Sequence, residues 1–200
     1  MKILITGTSS GLGQELVSRL HHHNVVALTR QLLDLSDIKS VVNYDPGFCD
    51  ILINCAGTDL GGKIDFVNHR TQHVVNILNT NLIAPILLSK QALSTNSKCK
   101  IVNITSTNNN RYHANNLCYS LSKKALAEFG AMLKVEYPDV DYLEIKLGLV
   151  KTEFNRNRYK YEPDRFSDIY QLPYLTVSQA ADIIVPAILN SSIKSIEVAP

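Results

Sequence analysis

The sequence predicts an α/β fold in which about seven parallel strands form one doubly wound sheet with helices on both faces. Two observations support this prediction. Short, wholly apolar runs alternate along the chain with longer segments whose apolar residues recur at helical spacing. The apolar runs also lack the polar alternation of a strand that has one face in water, which is typical of strands buried on both faces.

The individual elements follow from that alternation. Strands are predicted at residues 3–5, 25–28, 32–35, 50–54, 100–104, 142–147 and 195–198, and helices at 14–20, 36–43, 68–94, 119–136 and 177–189. Ser36 is expected to cap the second helix, and Pro85 to end or kink the third. Strands joined through helices pair in parallel by right-handed crossovers. No repeat or linker divides the chain, so residues 1–200 are expected to form one domain.

Composition argues against several classes of function. The 200 residues carry a formal net charge of +2, which implies no extended charged surface for nucleic acid or a membrane. No apolar run approaches the length of a membrane span. The cysteines at positions 49, 55, 99 and 118 lack the pairing of a metal site, so no metal is expected. We expect reduced thiols and a cytoplasmic location.

A glycine-rich turn directly follows the first strand. Gly7, Gly11 and Gly13 stand in the pattern Thr-Gly-x-x-x-Gly-x-Gly, immediately before a predicted helix. Glycines let the backbone approach a pyrophosphate, and the helix N-terminus offers free N–H groups and a positive dipole end. The alternative is a purely structural strand–turn–helix. A dinucleotide site here would add three further residues to the coenzyme contacts, namely Ser9, Ser10 and Leu12.

Further candidate residues follow the other predicted strands. In an open parallel sheet, ligands bind beyond the carboxyl ends of the strands, so these residues should share one cleft. They are Arg30 after the second strand, Asp34 and Leu35 in the third, Asn54, Ala56 and Gly57 at the end of the fourth, Ser106 after the fifth, and Val150 and Thr152 after the sixth.

Tyr119 and Lys123 lie four residues apart in a predicted helix, which places both side chains on one face. An exposed phenol has a pKa of roughly 10, and a nearby ammonium favours the phenolate and lowers that pKa. A tyrosine tuned in this way can exchange a proton with an alcohol or carbonyl oxygen. Taken alone, the pair is a weak signal, because most such pairs are surface neighbours.

Together these motifs resemble those of the classical short-chain dehydrogenase/reductase family, over nearly the whole chain. The matching segments are residues 6–13, residues 54–57 with cysteine at the second position, residues 80–82 around Asn81, residues 101–106, and Tyr119 with Lys123. Their order and spacing also fit the family, including the interval from Ser106 to Tyr119. The resemblance implies a Rossmann-type NAD(P)-binding domain and an oxidoreductase that interconverts a carbonyl and a secondary alcohol by hydride transfer.

The resemblance also implies a role for each site residue. Ser106 would bind the substrate oxygen, Tyr119 would protonate it, and Lys123 would lower the pKa of Tyr119 and bond the nicotinamide ribose. Asn81 would hold a water molecule that links Lys123 to solvent. The outer coenzyme contacts would be Asp34 at the adenine ring, with Val150 and Thr152 at the nicotinamide carboxamide.

The end of the second strand bears on the choice between NADP(H) and NAD(H). An acidic residue there would accept from the ribose hydroxyl and repel a phosphate, whereas this chain has Thr29 and Arg30. A guanidinium pairs well with a phosphate, so we expect NADP(H). Ser10 stands where NADP-preferring relatives often have a basic residue, which weakens the argument.

Two surfaces have alternative interpretations. Residues 153–174 form either a substrate-side loop over a polar or anionic substrate or a solvated loop, and His113 either touches substrate or lies in an exposed loop. The arginines and tyrosines of that loop are Arg156, Arg158, Tyr159, Tyr161, Arg165, Tyr170 and Tyr174. Apolar residues of the helix at 119–136 either form a homodimer or homotetramer contact or face the sheet; they are Ala125, Leu126, Phe129, Met132 and Leu133.

Two other functions stay open beside the oxidoreductase. A coenzyme-binding regulator without turnover would need only the glycine-rich half of the site, and an epimerase or dehydratase would use the same fold. The set of Asn81, Ser106, Tyr119 and Lys123 favours an oxidoreductase with a small-molecule carbonyl or alcohol as substrate.

Overall fold

The structure is a computed structural model that describes residues 1–107, 114–159, 168–169 and 171–200. In chain order, the strands among these residues are β1 (Lys2–Thr6), β2 (Asn24–Leu28), β3 (Ile51–Asn54), β4 (Lys100–Ser106), β5 (Tyr142–Leu147) and β6 (Ser195–Val198). They form one sheet in the order β2-β1-β3-β4-β5-β6, and every neighbouring pair is parallel. The predicted fold class is confirmed, with six strands in the described part of the chain where about seven were expected.

The helices alternate with the strands. Their bounds are α1 (Gly11–Arg19), α2 (Ile38–Asn43), α3 (Thr71–Leu78), α4 (Ala84–Thr95), α5 (Leu117–Glu136), α6 (Glu153–Arg158) and α7 (Val177–Leu189). A 3₁₀ turn at Phe66–Asn68 precedes α3, and a π-helical turn at Asn79–Ile83 joins α3 to α4. Within the residues that the structure describes, none of the helices has both the length and the apolar character needed to cross a lipid bilayer.

Helices cover both faces of the sheet, as the apolar strands predict. Successive side chains of a strand point to opposite faces, so Ile3 and Ile5 of β1 pack on one side and Leu4 on the other, all fully buried. On the first side the core includes residues of α1 and α7, and on the second it includes residues of α2, α4 and α5. The sheet is therefore the middle layer of three.

The strand order reverses between β1 and β3. The chain passes from β1 to β2 on one side and then crosses back to place β3 on the other. Such a switch point leaves a crevice at the carboxyl ends of the two strands. The hydroxyl of Thr6 joins them there, because its Oγ1 accepts from the backbone N–H groups of Cys55 and Ala56, both at 3.1 Å.

The predicted strand at residues 32–35 is wrong. The N–H groups of Leu32 and Leu33 both donate to the carbonyl of Thr29, at 3.1 and 2.9 Å, so this segment turns instead of pairing with the sheet. Leu33 and Leu35 are nevertheless buried in the core beneath β2. The alternating spacing of these two leucines therefore reflects their packing on the core within a compact turn, and not a strand. No helix lies between β2 and this segment, in a part of the chain that the structure describes throughout.

Two helix boundaries differ from the prediction for local reasons. Asp37, not Ser36, caps α2, since its carboxylate accepts from the N–H of Lys39 at 3.1 Å. The long helix predicted at residues 68–94 is divided by the π-helical turn, and Pro85 lies in the first turn of α4. A proline lacks the N–H that would continue the α-helical ladder, which fits a change of helix type just before it.

Candidate active site

A cavity of about 800 Å³ opens at the carboxyl ends of the strands, where the sequence predicts a single cleft. The segments that follow five of the strands contribute to its wall. They are residues 7–13 after β1, 30–35 after β2, 55–59 after β3, 106–107 at the end of β4, and 147–152 at the end of β5. Residues of α5 and α6 complete the wall, among them Tyr119, Lys123 and Arg158.

The glycine-rich turn packs too closely for side chains. Gly7 has a φ of +73° and Gly11 a φ of +57°, which is the left-handed region that favours glycine. A Cβ on Gly7 would lie 2.6 Å from the Cα of Ala56, so the first turn rests directly on the segment after β3. All the residues predicted for this part of the site line the cavity, namely Gly7, Ser9, Ser10, Gly11, Leu12 and Gly13.

Helix α1 begins inside this turn with unused backbone donors. Gly11 is its first residue, Ser10 is the N-cap, and the Ser10 side chain makes no capping hydrogen bond. The first N–H groups of a helix have no partner within the helix, and the dipole there favours an anion. The turn therefore offers backbone donors and little side-chain bulk, as a bound pyrophosphate requires.

The end of β2 supplies the outer part of the cavity. Arg30 is exposed and lines it, next to Asp34 and Leu35. Asp34 Oδ1 accepts from both the backbone N–H and the hydroxyl of Ser36, at 2.9 and 2.7 Å. The carboxylate thus stabilises the turn that replaces the predicted strand, and Arg30 is an exposed cation in this part of the cavity lining.

Tyr119 and Lys123 lie on one face of α5, directed at the end of β4. Tyr119 is 8% exposed and Lys123 is 4% exposed. The ammonium of Lys123 donates to the carbonyl of Ile104 at 2.8 Å. Ser106, the last residue of β4, is buried beside them and hydrogen-bonds the phenol of Tyr119. The structure therefore brings together three of the four predicted catalytic side chains at the cavity wall.

Burial is the largest influence on the pKa values of Tyr119 and Lys123. It raises the pKa of Tyr119 above its usual value, while the charge of Arg158 acts in the opposite direction. Burial also lowers the pKa of Lys123 to about 8. Arg158 opposes the rise in the pKa of Tyr119, and its guanidinium carbon lies 4.6 Å from the centre of the Tyr119 ring. The ammonium of Lys123, for which the sequence predicted this effect, donates to the carbonyl of Ile104.

The two predicted asparagines lie behind the cavity wall. Asn81, in the π-helical turn, accepts from the N–H of Thr58 at 2.8 Å and donates to its carbonyl at 2.9 Å. Its amide also donates to the hydroxyl of Ser122 at 3.0 Å. Asn54 is buried and donates to Asn103 Oδ1 at 2.9 Å. These amides hold the loop after β3 and the strand ends in place, and neither side chain lines the cavity.

The segment after β5 closes the ring of cavity residues. Val150 forms a parallel bridge with Leu175, which fixes both ends of the connection between them. The Cγ2 atom of Thr152 lies 3.3 Å from the place where a Cβ on Gly11 would be. Thr152 thus packs next to the glycine-rich turn, and both predicted contacts, Val150 and Thr152, line the cavity.

Helix α6 brings a charged pair over Tyr119. Arg158 Nε donates to Asp59 Oδ2 at 2.6 Å, and the side chains are 9% and 2% exposed. The Phe154 ring centre lies 5.6 Å from that of Tyr119. Tyr159 is also buried against the cavity. Other residues named in the sequence analysis, His113, Tyr161, Arg165 and Tyr170, lie outside the described residues.

Comparison with known proteins decides the family. The family model for short chain dehydrogenases matches residues 35–163. The chain belongs to the short-chain dehydrogenase family. The predicted family and the predicted enzyme class, an oxidoreductase, are thereby confirmed.

Individual short-chain dehydrogenases resemble this one over nearly its full length. An NADP-dependent 3-hydroxy acid dehydrogenase from Schizosaccharomyces pombe is 26% identical over 93% of this chain and 86% of its own. The crystal structure of a small-chain dehydrogenase in complex with NADPH is 25% identical, with a TM-score of 0.84 over 100% of this chain and 96% of that one. A closed form of serine dehydrogenase complexed with NADP⁺ has the same TM-score at 20% identity, over 100% and 95% of the two chains, and shows the fold alone.

Sequence reasoning missed part of the site of this short-chain dehydrogenase. Asp59 lies two residues beyond the predicted segment after β3, so the rule that ligands bind at the strand ends could have included it. Arg158 was considered only as one of several loop arginines. Its partner is 99 residues away in the chain, and no local pattern indicates such a contact.

Proposed function

We propose that this short-chain dehydrogenase interconverts a carbonyl and a secondary alcohol of a small molecule, with NADP(H) as the hydride carrier. The observation that supports it is the convergence of Ser106, Tyr119 and Lys123 on the cavity that also contains the glycine-rich turn. A coenzyme-binding regulator would have no use for a buried phenol that is hydrogen-bonded to a serine. The same pair favours carbonyl reduction over an epimerase or dehydratase.

The site residues divide the work as follows. The bound coenzyme supplies or accepts the hydride. Ser106 binds the substrate oxygen, and Tyr119 donates a proton to it in reduction and removes one in oxidation. Lys123 holds the ribose hydroxyls of the nicotinamide end. Asn81 fixes the loop after β3 next to Lys123, since both side chains approach Gly57, and a water molecule at Asn81 would connect Lys123 to solvent.

NADP(H) is favoured over NAD(H) by the residue at the end of β2. Arg30 is exposed at the mouth of the cavity, where its guanidinium can pair with a ribose phosphate. Asp34 is occupied by two hydrogen bonds from Ser36. The S. pombe relative is NADP-dependent by name, and the small-chain dehydrogenase structure holds NADPH, which agrees with this choice.

The first experiment is a panel of small carbonyl compounds, each mixed with the protein and NADPH, with the loss of NADPH absorbance as the readout. Turnover of at least one compound, faster with NADPH than with NADH, is the expected result. The variant Tyr119→Phe under the same conditions is the control for protein-independent oxidation. No turnover of any compound, together with tight NADPH binding, would support the regulator instead.

We also propose that the chain acts as a homodimer or homotetramer. Of the apolar residues predicted for this contact, Leu126 and Leu133 are buried in the core, so they do not contribute. Met132 is exposed on α5, together with Leu121 and Val135, and such a set supports a contact between copies. Light scattering of the protein at micromolar concentration that gives the monomer mass would refute the assembly.

A cytoplasmic location and a single working domain complete the proposal. Cys49 and Cys99 are free thiols whose sulfur atoms lie 3.6 Å apart, which supports a reducing compartment. A disulfide between them in protein isolated from its own cells without reductant would contradict it. For the loop at residues 153–174, the support comes from its described residues, several of which line the cavity: Phe154, Asn155, Arg158, Tyr159, Ile169 and Leu172.

A further inference from the structure

Arg158 is the buried cation of the substrate side of the cavity that the proposed mechanism does not use. Its side chain is 9% exposed, and its guanidinium carbon lies 4.6 Å from the ring centre of Tyr119 and 4.8 Å from that of Phe154. The guanidinium thus lies against both rings, beside the phenol that would exchange a proton with the substrate.

The guanidinium is only partly paired. Nε donates to Asp59 Oδ2 at 2.6 Å, whereas Nη2 is buried and has no hydrogen-bond partner among the residues that the structure describes. A buried donor without a partner is costly for a folded protein. Guanidinium groups present several donors in one plane and bind carboxylates through two parallel hydrogen bonds. The unpaired nitrogen is thus a donor available to a ligand, and a carboxylate is the acceptor that suits a guanidinium best.

The position of Arg158 is fixed from two directions. Asp59 holds the side chain. Gly62, with a φ of +68°, packs so closely on the carbonyl of Arg158 that any side chain at Gly62 would collide with it. The loop after β3 therefore holds both the backbone and the guanidinium of this residue. Such support is what a specificity contact needs, because its geometry must already be in place when the ligand arrives.

The charges around the cavity also favour an anion. Asp59 balances one positive charge, and Arg158 and Lys63 both line the cavity near it. Lys123 adds a further ammonium group behind Tyr119. These cations attract a carboxylate more strongly than a neutral group.

We propose that Arg158 binds a carboxylate of the substrate, so that the enzyme acts on short hydroxy acids and the corresponding oxo acids. This rests on the proposed carbonyl–alcohol interconversion. The carboxylate lies against Arg158 while the carbonyl of the same small molecule reaches Ser106 and Tyr119. Arg158 is thereby a specificity-determining residue, in addition to its electrostatic effect on Tyr119.

The test compares oxo acids with their neutral esters. Pyruvate and methyl pyruvate form one matched pair, and acetoacetate and methyl acetoacetate form another. For at least one pair we expect the wild type to have a higher kcat/KM for the acid. Arg158→Gln should reduce the kcat/KM ratio of acid to ester roughly ten- to a hundredfold, which is the scale of a lost charged hydrogen bond. Arg156→Gln, an exposed arginine on the same helix, is the matched control and should leave the ratio unchanged.

Two outcomes would overturn the proposal. If Arg158 only fixes helix α6, Arg158→Gln will slow acid and ester equally and leave the ratio as it was. If the wild type prefers the esters, no carboxylate is bound at this position. Asp59→Asn keeps the guanidinium, so it should preserve the acid preference. The double variant Asp59→Asn/Arg158→Gln avoids leaving a buried unpaired carboxylate and serves if the single Arg158 variant does not fold.

A binding measurement separates this proposal from the proposed function. Calorimetric titration of the NADPH-loaded protein with butyrate and with butyramide needs no turnover. Tighter binding of butyrate that is lost in Arg158→Gln would support the anion site even if no carbonyl compound in the panel is reduced. Equal binding of the two compounds, or butyrate binding unchanged in the variant, would contradict it while leaving the reductase activity intact.

Discussion

The guanidinium carbon of Arg158, the last residue of α6, lies 4.6 Å from the centre of the Tyr119 ring on α5. Burial raises the pKa of Tyr119, and the charge of Arg158 opposes that effect. The balance leaves the phenol protonated at neutral pH. This is the form that can donate a proton to a carbonyl oxygen, so the free enzyme is poised for reduction.

A spectroscopic titration checks this state directly. The tyrosinate absorbance of wild type minus that of Tyr119→Phe, followed against pH, should show no ionisation of Tyr119 below about pH 10, the usual value for a phenol. In Arg158→Gln the same difference should move to still higher pH, because the opposing positive charge is gone. A component that titrates near neutral pH in the wild type would contradict this balance.

Replacing Lys123 with methionine should stabilise the fold while it abolishes turnover. Burial lowers the pKa of Lys123 from 10.5 in the unfolded chain to about 8 in the folded one. The unfolded state therefore binds more protons between these values, and wild-type stability rises with pH across this window. At pH values below this window, the folded wild type bears the full cost of burying the charged lysine. Lys123→Met removes that cost but also loses the hydrogen bond to Ile104. The variant should therefore raise the free energy of unfolding by about 1–3 kcal/mol at neutral pH.

Denaturant unfolding at neutral pH and near pH 10 measures this difference. The gain from Lys123→Met should shrink at the higher pH, because the folded wild type then buries a neutral amine and the unfolded chain gives up its proton at little cost so close to its own pKa. Lys134→Met, an exposed position on the same helix, should change stability little at either pH. A gain that does not depend on pH, or a loss at both pH values, would show that the ammonium is not buried at a cost.

Arg30→Ala should weaken NADPH binding roughly ten- to a hundredfold, since a charged hydrogen bond contributes about 1.5–3 kcal/mol. NADH lacks the phosphate, so its affinity should hardly change. Fluorescence titration of both reduced coenzymes into wild type and variant gives the comparison. Arg70→Ala, at an exposed arginine away from the cavity, is the control. Tighter NADH than NADPH binding by the wild type, or an unchanged NADPH affinity in Arg30→Ala, would reverse the coenzyme assignment.

Sequence analysis located best the elements whose apolar residues pack on the sheet and whose ends are marked by turn residues. The strand Tyr142–Leu147 and the helix Val177–Leu189 are of this kind, and both have the predicted bounds. Residues 32–35 misled because Leu33 and Leu35 are buried by a turn that packs against the core, without a neighbouring strand. Burial alone does not distinguish these cases.

The sequence predicted those parts of the candidate site whose residues lie close together in the chain. Tyr119 and Lys123 share a helix face by spacing, and the glycine-rich turn follows from backbone geometry. The contact of Arg158 with Asp59 joins residues 99 positions apart, so it depends on how α6 packs on the loop after β3. No spacing in the sequence encodes that packing, so the contact of Arg158 with Tyr119 was not predicted.

The proton transfer by Tyr119 is the central claim, and single-turnover kinetics of Tyr119→Phe tests it most directly. With a carbonyl compound from the panel and NADPH already bound, the variant should oxidise NADPH at least about a hundredfold more slowly than wild type, the lower range for general acid–base catalysis. NADPH affinity should stay nearly the same, because the ring is kept, and Tyr137→Phe at the exposed end of α5 should behave as wild type. A Tyr119→Phe enzyme that retains more than half of the wild-type rate would contradict the account.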